Sequence, residues 1–180
     1  MKYIKNFEDV VIPDFRRNQT PVMSRNMEEI MKNYFDGALW TIKAEKLCDE
    51  YLSIYNFTEY LTQKSKNRSR EEIEWFIEKA GKILDKGPFK PLVKDYVIGH
   101  DLWFSRNYNT GFSNRSYYDE DEKIILQELS KQLNVVHIDI IKNNDNFIID
   151  LISNDNYKNF DINEFKEKLE FDRINKKYNI

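Results

Sequence analysis

Residues 135–152 read Val135-Val136-His137-Ile138-Asp139-Ile140-Ile141-Lys142-Asn143-Asn144-Asp145-Asn146-Phe147-Ile148-Ile149-Asp150-Leu151-Ile152. Two runs of branched and aromatic residues, Val135–Ile141 and Phe147–Ile152, flank the polar connector 142–146. That arrangement predicts an antiparallel hairpin. Every other strong signal in the chain is helical, so this stretch decides for α+β over all-α. The expected architecture is several helices packed on a small antiparallel sheet that includes this hairpin in the C-terminal half. His137 falls inside the first strand and reads as a packed or surface strand histidine.

Upstream, Met27, Ile30, Met31, Tyr34, Phe35, Ala38, Leu39 and Ile42 recur at three- and four-residue steps, the stripe of a core helix. Asn26 with Glu29 forms a candidate capping box. A short helix over 45–54 is expected next, and the polar run Thr62–Ser69 reads as a loop. Ser69 with Glu72 then caps a second helix, whose inner stripe is Ile73, Phe76, Ile77, Ala80, Ile83 and Leu84 and which Gly87-Pro88 ends. A third helix starts at Ser116 or Asp119 and turns Ile125, Leu126, Leu129 and Leu133 inward. Carboxylates at 119–122 favour its positive N-terminal end. From Asp161, Ile162, Phe165 and Leu169 sit at helical spacing before the chain frays into Lys and Asn.

Residues 1–23 read as an extended arm, with Val10-Val11-Ile12 a possible edge strand ahead of Pro13. Residues 24–180 form the single expected domain, since 180 residues suffice for one core. Hydrophobic residues make up 41% and aromatics 14%, well above a disordered composition. A net charge of −3 gives no global field to hold a polyanion and is too weak for a DNA mimic. The lone Cys48 excludes an intramolecular disulfide framework. No signal peptide or run of ~18 apolar residues is apparent, so a soluble protein of the cytoplasm is expected.

Chemistry concentrates at 97–115, which holds Gly99 and Gly111, His100, Trp103, Arg106 and Arg115. Elsewhere there is no Gly-rich phosphate loop, Gly-x-Ser-x-Gly elbow or Cys-x-x-Cys pair. Cys48, His100 and His137 are too scattered to make a zinc site without carboxylates, so no metal and no cofactor are expected. Two readings of His100, Asp101, Arg106, Asn107 and Arg115 stand side by side. In one, His100 is a general base while Arg106 and Arg115 hold a phosphate or carboxylate. In the other, which asks for less, Asp101 pairs with Arg106 across a turn, Trp103 and Phe112 anchor the segment, and His100 hydrogen-bonds a nearby carbonyl. Separately, Trp40 and Trp103 are expected to close one core. Lys64, Lys66, Arg68 and Arg70 form the densest basic cluster, a candidate phosphate-backbone contact or a solvated loop.

The run His100-Asp101-Leu102-Trp103-Phe104-Ser105-Arg106-Asn107, with Gly111-Phe112 and Arg115, resembles a segment of small, mostly uncharacterised tailed-bacteriophage proteins. There it typically reads His-Asp-Phe-Trp-Leu-Thr-Arg-Asn-Gly-His-Gly-Ala-Gly-Phe-Trp-Asp-Arg. Ala38-Leu39-Trp40 matches an Ala-Leu-Trp triplet that ends an early helix in the same proteins, and the resemblance spans roughly 27–150. This chain is one residue shorter before Gly111. It has Asn109 or nothing for the family's second His, Ser113 for its Trp and Asn114 for its Asp. Losing that His and Asp favours a binding or structural role.

The resemblance implies a phage accessory protein that works in the host cytoplasm by binding a host factor. The expected role is an anti-defence inhibitor, anti-CRISPR activity included, whose partner is a defence-system protein such as a Cas effector. His100, Asp101, Arg106, Asn107, Tyr108, Arg115, Tyr117 and Tyr118 are its candidate contact residues. A small enzyme or nucleotide-binding protein using His100, Arg106 and Arg115 is the alternative. A nucleic-acid-binding protein using Lys64, Lys66, Arg68 and Arg70 is the third, and the negative charge places it last.

Overall fold

A computed structural model describes residues 25–44, 54–86, 91–143, 146–153, 157 and 160–178. Among these residues, six helices and one hairpin follow in order: α1 Met27–Ala44, α2 Ile54–Tyr60, α3 Gln63–Ala80, α4 Pro91–Tyr108, α5 Glu120–Gln132, β1 His137–Asn143, β2 Asn146–Ile152 and α6 Ile162–Tyr178. Short 3-10 turns at Gly81–Lys86 and Phe112–Asn114 follow α3 and α4. The fold is α+β, as the hairpin pattern requires. The expected arm 1–23, most of the expected 45–54 helix and the Gly87-Pro88 stop lie outside the described residues.

Helix α1 forms where its stripe predicts, and Ile30, Tyr34, Ala38, Leu39 and Ile42 are buried. Asn26 caps it by accepting from the Glu29 amide at 3.2 Å. The reciprocal half of the box is absent, because the Asn26 N–H goes to Asp95 at 2.9 Å and Glu29 accepts from Asn33 instead. Trp40 is 66% exposed, which corrects its assignment to the core. It lies off the stripe, while Trp103 alone of that pair fills the interior at 1% exposure.

The expected loop Thr62–Ser69 is the first part of α3. Thr62, not Ser69, is its N-cap and accepts from the Ser65 amide at 3.1 Å. The inner stripe there is polar: Ser65, Ser69 and Glu72 are buried ahead of Ile73, Phe76 and Ala80. An apolar period therefore vanishes from the sequence although the helical period persists. The reason is what these residues face. Ser65 accepts from the Leu151 amide at 2.8 Å and donates to Asp150, and Thr62 donates to the same Asp150 oxygen at 2.7 Å. Thr62 N–H reaches the Ile149 carbonyl at 3.1 Å beside a parallel bridge from Leu61 to Ile149.

That junction holds the hairpin to the helices, which matters because an isolated two-stranded ribbon is only marginally stable. Strand β1 pairs antiparallel with β2 in the register His137 to Ile152. Ile149 and Leu151 are buried with Ile138 and Ile140 packed beside them, while Ile141, Ile148 and Ile152 point outward. Helix α5 starts at Asp119 with both halves of a capping box formed with Glu122. Helix α6 runs on to Tyr178 where fraying was expected.

Candidate functional site

The glycine-bearing segment is not a connector. Residues up to Tyr108 belong to α4, and Gly99 sits in mid-helix. A Cβ built on Gly99 would lie 2.1 Å from the Ile30 carbonyl oxygen, and one on Gly37 would lie 2.8 Å from the Trp103 ring. Each glycine thus removes a side chain where α1 and α4 meet. Contacts advance together along both helices, Asn26 with Asp95, Ile30 with Gly99 and Thr41 with Trp103, so the pair is parallel. Trp103 donates its indole N–H to Thr41 at 3.0 Å, satisfying the polar end of a buried ring.

Asp101 and Arg106 do not pair with each other. They lie five residues apart on one helix, which points them to different sides, and each meets a partner on another element. Asp101, 1% exposed, accepts two hydrogen bonds from Arg115 at 2.6 Å each. This bidentate geometry holds Arg115 above the ordinary guanidinium range, despite the opposing effect of its partial burial.

Arg106 is buried among four acceptors. It donates to Glu72 and to the Tyr34 hydroxyl at 2.6 Å each, to the Asn134 carbonyl at 2.5 Å, and to the Leu133 carbonyl. Burial would lower its pKa, but Tyr34 and Glu72 together hold it raised. Burial pushes Tyr34 up to about 12 against the pull of Arg106. Glu72 also accepts from Ser153 at 2.5 Å and from Arg68 at 3.3 Å, and Arg68 donates to Ser153 at 2.7 Å. One buried network therefore joins α1, α3, α4, the end of α5 and the end of β2.

The remaining motif residues close the C-terminal end of α4. Asn109, at φ 56°, turns the chain out of the helix, and Thr110 N–H returns to the Phe104 carbonyl at 3.3 Å. Gly111 has φ 82°, and a Cβ there would meet the Asp101 carbonyl at 2.4 Å. Ser105 accepts from the Phe112 amide at 3.0 Å and donates to the Thr110 carbonyl. Asn107 donates to the Trp103 carbonyl and accepts from the Val136 amide, both at 2.8 Å, tying α4 to the approach to β1.

His100 stands apart. Its ring lies between Tyr96 and Phe104, with centroids at 5.9 and 4.6 Å, and Phe104 continues to Tyr108 at 5.9 Å. These residues recur every four positions and make an aromatic ladder along one side of α4. The His100 Nδ1 is buried with no hydrogen bond among the described residues, 3.6 Å from an Asp101 oxygen already facing Arg115. Asp101 therefore does not orient the imidazole as a base-and-orienter pair requires.

Among the other expected contacts, Tyr108 is 45% exposed, Tyr117 is half-buried and Tyr118 is buried. Burial pushes the Tyr117 phenol up to about 12 and raises that of Tyr118 as well. Lys64, Lys66, Arg68 and Arg70 lie along α3 rather than on a loop. Arg68 is committed to Glu72 and Ser153, and Arg70 stands 3.9 Å from Glu74. Tyr96, half-exposed at the start of the ladder, was not singled out by sequence. Its signal was the four-residue spacing to His100, Phe104 and Tyr108. A hollow lined by Thr41, Trp103, Asn107, Tyr108, Val135 and His137 opens beside the far end of the ladder.

Among the described residues, no three His, Cys, Asp or Glu side chains are grouped to hold a metal ion. None of their helices is long and apolar enough to cross a membrane. No protein-family model, curated protein or solved structure matches this chain.

Proposed function

We propose that this chain is a phage accessory protein that acts by binding a host protein, an anti-defence inhibitor for which a Cas effector is the first candidate target. The phage origin rests on the motif resemblance described above. The binding reading rests on one structural observation: Asp101, Arg106 and Asn107 spend their polar atoms on internal partners, and Asp101 holds Arg115 by two of its nitrogens. Meanwhile the ladder ends Tyr96 and Tyr108, with Val135 beside the hollow, keep roughly half their surface in solvent. Tyr is a favoured interface anchor because it buries a large rigid ring and keeps a polar tip. The proposed contact is therefore the ladder side of α4 with the hollow beyond it, rather than the 106–118 turn.

Titration of the purified protein against candidate effectors tests this. Inhibition is expected to saturate near one copy per target, because a binder does not turn over. Tyr96→Ala with Tyr108→Ala is expected to abolish it without changing the melting temperature. Time-dependent loss of target activity at substoichiometric amounts would overturn the reading in favour of an enzyme. A chain that binds no defence effector would remove the anti-defence assignment.

A further inference from the structure

We infer that α6 carries a self-association face through which two copies of this chain pair antiparallel. At 3.6 residues per turn, Ile162, Phe165 and Leu169 share one side of α6, and Phe171, Ile174 and Tyr178 fall roughly opposite. The first set packs against the core. Arg173 lies on that same inward side and reaches Asp121 of α5 at 2.8 Å, which agrees with that orientation for the helix's second half. The second set is left outside: Phe171 is 63%, Ile174 45% and Tyr178 62% exposed. A surface helix needs only one apolar stripe to dock on its own domain, so a second, opposite stripe is surplus to the fold.

The flanking charges select the occupant. Glu170 and Lys177 lie on the same flank of the outward stripe, about one turn before and one turn after Ile174. A second α6 laid antiparallel about a two-fold axis near Ile174 brings each Glu170 level with the Lys177 of the other copy. The same patch thus complements itself twice, as an isologous interface requires. A parallel pair, whose two-fold runs along the helices, would instead carry that charged flank to the opposite side of the interface in the other copy and leave Glu170 and Lys177 without this pairing. Lys177 already sits 5.4 Å from the Tyr178 ring, at the edge of the stripe it would frame. Three large apolar residues per copy are fewer than a permanent interface uses, so the dimer is concentration-dependent.

Sedimentation equilibrium on the full chain over a range of concentrations is the test. The wild type is expected to show a monomer–dimer equilibrium, and Ile174→Asp is expected to be monomeric with an unchanged circular dichroism spectrum. Glu170→Lys turns two attractive pairs into repulsive ones and should weaken dimerisation about tenfold. Adding Lys177→Glu to that variant should restore it. A wild-type chain that stays monomeric at the highest concentration would overturn the inference. So would a dimer insensitive to Ile174→Asp, or one that the double charge exchange fails to rescue.

Discussion

Gly99 and Ile30 touch backbone to backbone: the hydrogen that Gly99 carries in place of a side chain faces the Ile30 carbonyl, where a Cβ would stand at 2.1 Å. Backbone cannot yield as a flexible side chain does, so Gly99→Ala must push α1 and α4 apart. Helix propensity alone would stabilise the variant by about 0.5–1 kcal/mol. Overpacking should outweigh that gain, for a net loss of ~1–3 kcal/mol in urea denaturation. A variant as stable as the parent would show that the helices are farther apart than described.

The hairpin, α1 and α5 were legible because each carries an apolar period that matches its own geometry. The start of α3 was not, since Ser65, Ser69 and Glu72 occupy inner positions that a pattern search reserves for apolar residues. Helix α4 was hidden for a related reason. Gly99, Asp101 and Arg106 break the apolar period, yet each faces a neighbouring element from a different side of the helix. The concentration of chemistry at 97–115 is visible in the sequence, but sequence carries no sign of which acid meets which arginine. Those partners, Glu72 and Arg115, are 34 and 14 residues away along the chain.

The tryptophans separate exposed from buried aromatic surface. Trp103→Ala removes a fully buried ring and its bond to Thr41, and should cost ~3–5 kcal/mol. Trp40→Ala should change stability by under about 0.5 kcal/mol, as surface substitutions do. Guanidinium melts of both variants provide the check, and comparable losses would place Trp40 back in the core.

His100 supplies a second contrast. Its Nδ1 is buried with no hydrogen-bond partner among the described residues, a costly state for a polar atom, while its ring stacks in the ladder. His100→Phe keeps the stack and removes the orphan nitrogen, so thermal stability should stay level or rise. A loss above about 1 kcal/mol would mean the nitrogen holds a water whose bonds matter.

Acid stability should depend on Asp150. Hydrogen bonds from the Ser65 and Thr62 hydroxyls hold its carboxyl below the usual range. A depressed carboxylate stabilises the fold above its unfolded value, about 3.9, and that contribution is lost as pH falls through the folded value. Asp150→Asn should therefore flatten the acid limb of the stability curve below about pH 4. An unchanged acid limb would show that the hydroxyls do not favour the ionised form.

The claim that the motif serves the fold is tested most directly by Arg106 and Glu72, whose side chains are 0% and 3% exposed and meet at 2.6 Å. Breaking such a pair from one side leaves a buried charge uncompensated, so Glu72→Ala and Arg106→Ala should each lose ~3–5 kcal/mol. Glu72→Leu combined with Arg106→Met should lose less than the two single changes added together. Chemical denaturation of the three variants measures all of this. Arg106→Ala folding with near-parental stability while losing binding or a reaction would contradict the account and make Arg106 a functional group.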